Sequence, residues 1–347
     1  MNIQNHTAET APQQMPPEAV LSQMLFGALM QKSIYAVTKL GIADLLAEKA
    51  QTADELAAET GTHAASLYRV LRTLASVGIF AENSGGKFEL TPVAELLRSD
   101  VPNSMRDFAL MLGGEWHWRI FSELMHSVMT SETAQKKACG AELFEYLANN
   151  PEDAEVFNRA MTSHSLAAVP AIVEAYDFSD IGKLVDIGGG QGILLAGILK
   201  ANSQMEGMLF DMPSVIEGKN ELLEKESVAA RVEKVSGSFF ESVPAGADAY
   251  LMKHIIHDWT DEQNIKILHN INSAMNENGK VLIIEMVVPV GNESSPSKIL
   301  DLQMLIGTGG KERTEKEYRE LLEAAGFRLT RIIATRSPLS IVEAVKN

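Results

Sequence analysis

Apolar positions in this chain keep a helical period up to about residue 176, then gather into short runs that alternate with helical segments. From Glu18 to about Leu40, the residues Val20, Leu21, Met24, Leu25, Ala28, Leu29, Ile34 and Val37 recur at helical spacing and leave little polar face. Such a helix needs cover on more than one side, which in a small domain points to a subunit interface. Thr52-Ala-Asp-Glu55 has the form of a capping box opening a helix that stops near Gly61, and a second helix runs from about Thr62 to Val77, closed by Gly78. Ile79-Phe-Ala, the turn Asn83-Ser-Gly-Gly86 and Lys87-Phe-Glu-Leu90 then make a hairpin, which gives the segment the outline of a winged helix. Further helices are predicted from Ser104 to Leu112, Trp116 to Met129, Ala141 to Leu147 and Pro151 to Tyr176.

Beyond Phe178 the pattern predicts strands from Lys183 to Ile187, Gly207 to Asp211, Arg231 to Val235, Ala247 to Lys253 and Lys280 to Val288. Helices lie between them, with capping boxes at Thr260-Asp-Glu-Gln263 and Thr314-Glu-Lys-Glu317. Alternation of this kind means an α/β fold with a Rossmann-like, doubly wound parallel sheet. Two last strands, Arg328 to Ala334 and Leu339 to Val345, are linked through Ser337-Pro338 and fit an antiparallel hairpin at the sheet edge.

Composition narrows the function classes. A length of 347 residues, 46% of them hydrophobic and 22% charged, suits about two globular domains of roughly 150 residues each. The net charge of -16 opposes non-specific attraction to nucleic acid or to anionic membranes. In the would-be recognition helix Arg69 and Arg72 are the only cations and the preceding helix is acidic, so dimerisation or pocket-building is favoured over DNA reading. Cys139, the single cysteine, has no partner for a disulfide or a zinc site. No apolar run is long enough to cross a bilayer, and the N-terminus lacks a basic start and a cleavage site, which predicts a cytoplasmic protein without membrane or nucleic-acid partners.

The candidate chemistry begins at Leu184-Val-Asp-Ile-Gly-Gly-Gly-Gln-Gly192, a buried strand running into a turn where bare backbone can approach a ligand. No register gives the dinucleotide fingerprint G-x-G-x-x-G, and a tight turn without a ligand is the competing reading. What remains is D-x-G-x-G-x-G, with Asp186 two residues before Gly188. Asp211 ends the second strand, where a carboxylate can accept both ribose hydroxyls of a nucleoside cofactor, and Ser238 and Phe239 follow the third, able to border an adenine. Lys253-His-Ile-Ile-His-Asp-Trp259 follows the fourth strand, and Glu285 lies in the fifth with no obvious reason to be there except a partner. His254 and His257 also read as a turn pair without a role, or as an i, i+3 metal pair lacking a third ligand nearby; His254 is taken as structural. Asp258 either hydrogen-bonds a substrate or caps the following helix. The 16 methionines exceed what a core requires and suit an adaptable pocket wall for a flat apolar ligand. Near Phe157 and Met161, His164 and Asn158 are read as packing or solvated.

In fixed order, LVDIGGGQG, FDMPSVI, GSFFESVP, LMKHIIHDWTDE and GGKERTEKEY resemble the motifs of class I S-adenosylmethionine-dependent O-methyltransferases of the plant caffeate type and their bacterial small-molecule relatives. The likeness spans nearly the whole chain. The polar composition of residues 1–16, with Pro12 and Pro16, predicts a flexible tail, and the likeness implies a winged-helix-like dimerisation domain over 17–105, connecting helices lining the substrate pocket over 106–176, and an S-adenosylmethionine-binding domain over 177–347. Cofactor contacts are then implied for Asp186, Gly188, Gly190, Asp211, Ser238, Phe239, Lys253 and Trp259, and substrate contacts for Phe157, Met161, Asp258 and Met304. His257 is implied as the general base, flanked by Glu285 and Glu312, with no metal. A phenol of pKa ~10 gives its proton to an imidazole of pKa ~6.5 only if the transfer accompanies methyl transfer. A carboxylate on the other ring nitrogen raises the basicity and fixes the tautomer, and Glu285 and Glu312 are the candidates. The expected reaction moves a methyl group to a phenolic hydroxyl of a small aromatic acceptor, leaves S-adenosylhomocysteine, and takes place in a homodimer joined through the N-terminal domain. Ser238-Phe239 departs from the Asp-Met usual in plant members, which leaves the adenine contact open in detail. The rival readings are a cofactor-binding member turned to other chemistry, against which the retained His257, Glu285 and Glu312 argue, and a ligand-responsive regulator.

Overall fold

A computed structural model describes residues 15–217 and 221–347, which leaves most of the tail expected over residues 1–16 outside the described residues. The chain divides into two compact units, Met1–Ser99 and Asp100–Asn347. In the first, the long apolar helix is divided into α1 (Pro17–Leu25) and α2 (Gly27–Lys39) at Phe26, whose φ of -82° and ψ of -1° depart from helical values although its N–H still bonds the Ser22 carbonyl. The hydrophobic period continues across the break, but Gly27, a poor helix former, stands beside it. α1 buries none of its residues, and Leu21, Met24, Leu25, Phe26 and Leu29 are 58 to 71% exposed.

The winged helix follows as α3 (Ile42–Glu48), β1 (Gln51–Thr52), α4 (Ala53–Thr60), α5 (Ala64–Ser76), β2 (Phe80–Glu82), β3 (Lys87–Leu90) and α6 (Pro92–Glu95). Thr52 and Glu55 form the reciprocal capping box, and Gly61 at φ 67° ends α4 in the left-handed conformation that glycine enters without strain. α5 lays Leu67, Leu71 and Leu74 against Leu56, Phe80 and Phe88. Each such buried side chain stabilises the unit by ~1.5–3 kcal/mol. The three strands are antiparallel in the order β1-β3-β2.

The second unit opens with α7 (Arg106–Gly113), α8 (Glu115–Ser122), α9 (Leu124–Thr130), α10 (Ala134–Cys139), α11 (Leu143–Asn149) and α12 (Pro151–Ala175). The helix predicted from Trp116 to Met129 is two, parting at Glu123. Trp116, Ile120, Tyr146, Leu147 and Ala160 form a helical core, and Phe157 and Met161 pack against it.

Strands and helices then alternate as β4 (Lys183–Ile187), α13 (Ile193–Ala201), β5 (Glu206–Asp211), α14 (Pro213–Ile216), α15 (Glu221–Lys225), β6 (Val232–Ser236), β7 (Ala249–Lys253), α16 (Asp261–Ala274) and β8 (Lys280–Glu285). α17 (Pro296–Gly307), α18 (Glu315–Ala324), β9 (Phe327–Ala334) and β10 (Ser340–Lys346) complete the unit. The seven-stranded sheet has the order β6-β5-β4-β7-β8-β10-β9, parallel through β8, with β10 antiparallel to both its neighbours. The expected edge hairpin is therefore present, with its second strand inside and its first outside.

Side chains alternate across the sheet. Val185, Ile187, Tyr250, Met252, Val281 and Ile283 face the helices α16 and α18, while Leu184, Leu251, Leu282 and Ile284 face α12 and α13. By the same count Asp186 and Lys253 fall on the α13 face, and Glu285 on the α18 face. β8 ends at Glu285, earlier than the predicted Val288, because Val287 pairs instead with Arg313 and draws residues 309–314 to the carboxyl ends of the strands.

Candidate active site

Strand order reverses between β4 and β7, and the crevice beyond their carboxyl ends is where an open α/β sheet receives a ligand. Gly188, Gly190 and Gly192 take φ of 66°, 58° and 75°, as a turn between β4 and α13 requires. Gly189 is glycine for a different reason: a Cβ there would stand 2.7 Å from the Asp186 carboxyl group. A Cβ on Gly190 would meet nothing within 4 Å, so that side of the turn faces open room. The Gly190 N–H donates to Asp211 Oδ2 at 2.9 Å and the Met212 N–H to Oδ1 at 2.7 Å. These bonds aim the carboxylate and leave about two of its roughly four lone-pair sites for another donor. Asp186 lies beneath the turn with Oδ2 buried and, among the described residues, without a hydrogen-bond partner. Burial pushes its carboxyl group up to about 7, against the pull of Lys253 and with the charge of Asp211 adding to the rise. Burial also brings Lys253 down to about 8, opposed by Asp186 and Glu285.

Past β7 the chain turns at His254, a non-glycine residue with φ of 56°, and residues 256–258 form a tight helical turn. The backbone N–H of His257 donates to Glu285 Oε1 at 3.0 Å, and the Tyr318 hydroxyl donates to Glu285 Oε2 at 2.5 Å. The His257 ring meets Glu312 instead, Nδ1 to Oε1 at 2.6 Å. The two carboxylates expected to compete for the imidazole thus divide between ring and main chain. His257 Nε2 lies 3.8 Å from Asp258 Oδ1, beyond hydrogen-bond length. Burial acts to lower the His257 pKa, yet Asp258, Glu312 and Glu285 outweigh it and raise it to about 9. Asp258 itself is pushed up to about 6 by burial, with His257 pulling the other way.

Residues 309–314 clamp this loop from the far side. Arg313, fully buried, donates to the carbonyls of Ile256 at 3.1 Å and Trp259 at 3.3 Å and to Asp261 Oδ1 at 2.7 Å. The Asn264 amide reaches the same two carbonyls. A Cβ on Gly310 would stand 1.9 Å from the His257 carbonyl oxygen, so no side chain fits there.

Asp186, Gly188, Gly190, Asp211 and Lys253 are thus gathered at the glycine turn, and His257, Asp258, Glu285 and Glu312 at the histidine loop. Trp259 stacks on Phe144 with ring centroids 5.7 Å apart and receives the edges of Phe239 at 6.0 Å and Phe240 at 4.8 Å. The Ser238 hydroxyl accepts the Phe240 N–H at 3.3 Å. Phe157 and Met161 share a face of α12 with His164, whose ring approaches His254 at 5.2 Å. Met304 is buried on α17, the helix whose Asp301 accepts the Glu312 N–H at 2.9 Å. Tyr318, Gly310 and Arg313 were not singled out from the sequence, although all three stand in its GGKERTEKEY segment. An open depression of about 460 Å³ lined by Asp180, Asp248, Asn276 and Lys280 lies at the amino ends of the strands, away from these groups. Among the described residues no cluster of His, Cys, Asp and Glu could hold a metal ion, and no helix is long and apolar enough to cross a membrane.

The fold and the turn define an α/β transferase-like domain with a nucleoside-binding crevice. Residues 121–328 match the O-methyltransferase domain and residues 22–100 the O-methyltransferase dimerisation domain. The chain is 44% identical over 330 residues, 95% of its length and 96% of the relative's, to phenazine O-methyltransferase PhzM of Lysobacter antibioticus. The crystal structure of LaPhzM superposes with a TM-score of 0.91 at 44% identity, covering 96% of this chain and 100% of that one. NcsB1, an O-methyltransferase from neocarzinostatin biosynthesis solved with S-adenosylmethionine and 2-hydroxy-5-methyl naphthoic acid, superposes at 0.79 with 33% identity, covering 91% and 96%. The chain belongs to the S-adenosylmethionine-dependent O-methyltransferase family.

Proposed function

We propose that His257 is the general base for methylation of a phenolic hydroxyl on a small aromatic acceptor. The observation that carries this reading is the buried pair of His257 Nδ1 with Glu312 Oε1 at 2.6 Å, which leaves Nε2 to meet a substrate proton. When bound, S-adenosylmethionine supplies an electrophilic methyl carbon on a positively charged sulfur. The chain's residues fit that cofactor: Asp211 keeps lone pairs for a ribose diol, Gly190 offers bare backbone on an open side while Gly188 is packed under Ile255, and Lys253 stands beside Asp186 at the turn. Phe239 and Trp259 offer ring faces and edges for an adenine. His257 Nε2 takes the hydroxyl proton as the acceptor oxygen gains its methyl group, and Glu312 and Asp258 stabilise the imidazolium formed. Glu285 holds the backbone from which the imidazole is presented. Phe157 and Met161 on α12, and Met304 on α17, are assigned to the acceptor pocket, with Asp258 placed to bond a neighbouring substituent. The apolar, sulfur-rich character of these side chains supports a flat acceptor, as do the phenazine named for one relative and the naphthoic acid bound to the other.

Labelled methyl transfer screened across phenols would identify a working acceptor. With it, His257→Ala should keep the affinity for S-adenosylmethionine, read by calorimetry, while turnover falls ~10²–10⁴-fold. Turnover near that of the wild type at neutral pH would remove His257 as the base.

A further inference from the structure

Four rings form a column that ends on His257. Phe108 of α7 and His164 of α12 lie 6.2 Å apart at 26°, His164 and His254 lie 5.2 Å apart at 50°, and His254 and His257 stack at 4.8 Å and 24°. Both ring nitrogens of His254 are buried, and among the described residues neither has a hydrogen-bond partner. The contacts of the His254 ring with its neighbours are made ring to ring, with His164 and with His257. We propose that His254 is a positioning residue, its face backed by His164 and Phe108 and fixing the plane of the His257 imidazole; this rests on the reading of His257 as the base.

The reason lies in what Glu312 leaves free. One hydrogen bond to Nδ1 fixes an edge of the imidazole but permits the ring to rock about that bond. A second ring flat against its face removes the motion and keeps Nε2 on line with the acceptor. The left-handed backbone at His254 brings positions 254 and 257 into register across the tight turn, and histidine is among the few side-chain-bearing residues that enter this region readily. Burial holds His254 well below the ordinary histidine range, with Lys253, His257 and His164 acting in the same direction, and burial brings His164 down to about 4. Neither ring therefore competes with His257 for the substrate proton.

The test compares full-length variants using the acceptor found by screening. His254→Ala should lower kcat ~10- to 100-fold, as a misplaced reacting group does, with the acceptor KM and the affinity for S-adenosylmethionine unmoved. His254→Phe keeps a ring face and discards both nitrogens, and should restore kcat to within a few-fold of wild type. Unchanged kcat in His254→Ala would overturn the proposal. So would a His254→Phe enzyme that binds the cofactor normally yet remains as slow as His254→Ala, because the nitrogens would then be needed. Should His254→Phe not fold, His164→Ala and His164→Phe decide by the same ordering, on a helix where the backbone imposes no strain. Retained turnover in His257→Ala would strike the base reading itself, whereas a neutral His254→Ala beside an inactive His257→Ala would strike this inference alone.

Discussion

His257 stands among three carboxylates, and their sum sets the pH behaviour expected of the enzyme. Because its pKa is raised to about 9, the resting imidazole carries a proton at neutral pH. As the proposed base, His257 must be neutral to act, so kcat should climb as pH rises toward about 9 and level off beyond it. Glu312 contributes to that elevation both by its hydrogen bond and by its charge. Glu312→Gln should therefore shift the acidic limb of the kcat profile to lower pH, while the plateau falls because the tautomer is no longer fixed. Rates followed from pH 6 to 10 would show it, and an unmoved limb would exclude Glu312 as the partner that raises His257. Glu285→Gln should move the limb in the same direction, since its charge also raises His257, and should lower the plateau by loosening the loop whose backbone it holds.

At the level of elements, the site is a loop after β7 pressed between the end of β8 and residues 309–314. Gly310 is where that pressing leaves no room. Gly310→Ala would drive a methyl group into the His257 carbonyl, so the clamp or the loop must move. Overpacking of this kind costs about 1–3 kcal/mol. The variant should melt earlier by calorimetry and turn over more slowly, and wild-type melting and turnover together would contradict the contact. Such contacts mark where the sequence stopped being readable. The capping boxes at Thr52, Thr260 and Thr314 and the glycine turn were legible because their partners lie within a few residues. The strands were legible from their apolar runs, and β4 was placed residue for residue. The breaks at Phe26 and Glu123 were hidden because the hydrophobic period runs through both. The partition of Glu285 to backbone and Glu312 to ring, and the ring column behind His257, depend on which residues the sheet brings level across dozens of positions, and no local pattern records that.

For the molecule as a whole, the dimerisation domain and the bare face of α1 and α2 belong to one argument. Leu25 and Leu29 are 71% and 66% exposed in the single chain, and a cluster of such residues marks an association surface. Leu25→Glu combined with Leu29→Glu should give monomers in light scattering at micromolar concentration, whereas the unmodified chain should be dimeric. A variant that stays dimeric would move the interface elsewhere. The sheet carries a different consequence, for how the molecule is made. β8 takes its second neighbour from β10 rather than from β9, so the strand bearing Glu285 waits for a segment roughly 60 residues further along, about 3–12 s of synthesis at ribosomal speed. During that interval the nascent chain presents Val281 to Ile284 as an open, apolar edge that invites pairing with any other strand in the cell. The strand that carries Glu285 is thus among the last of the sheet to be covered while the chain is being made.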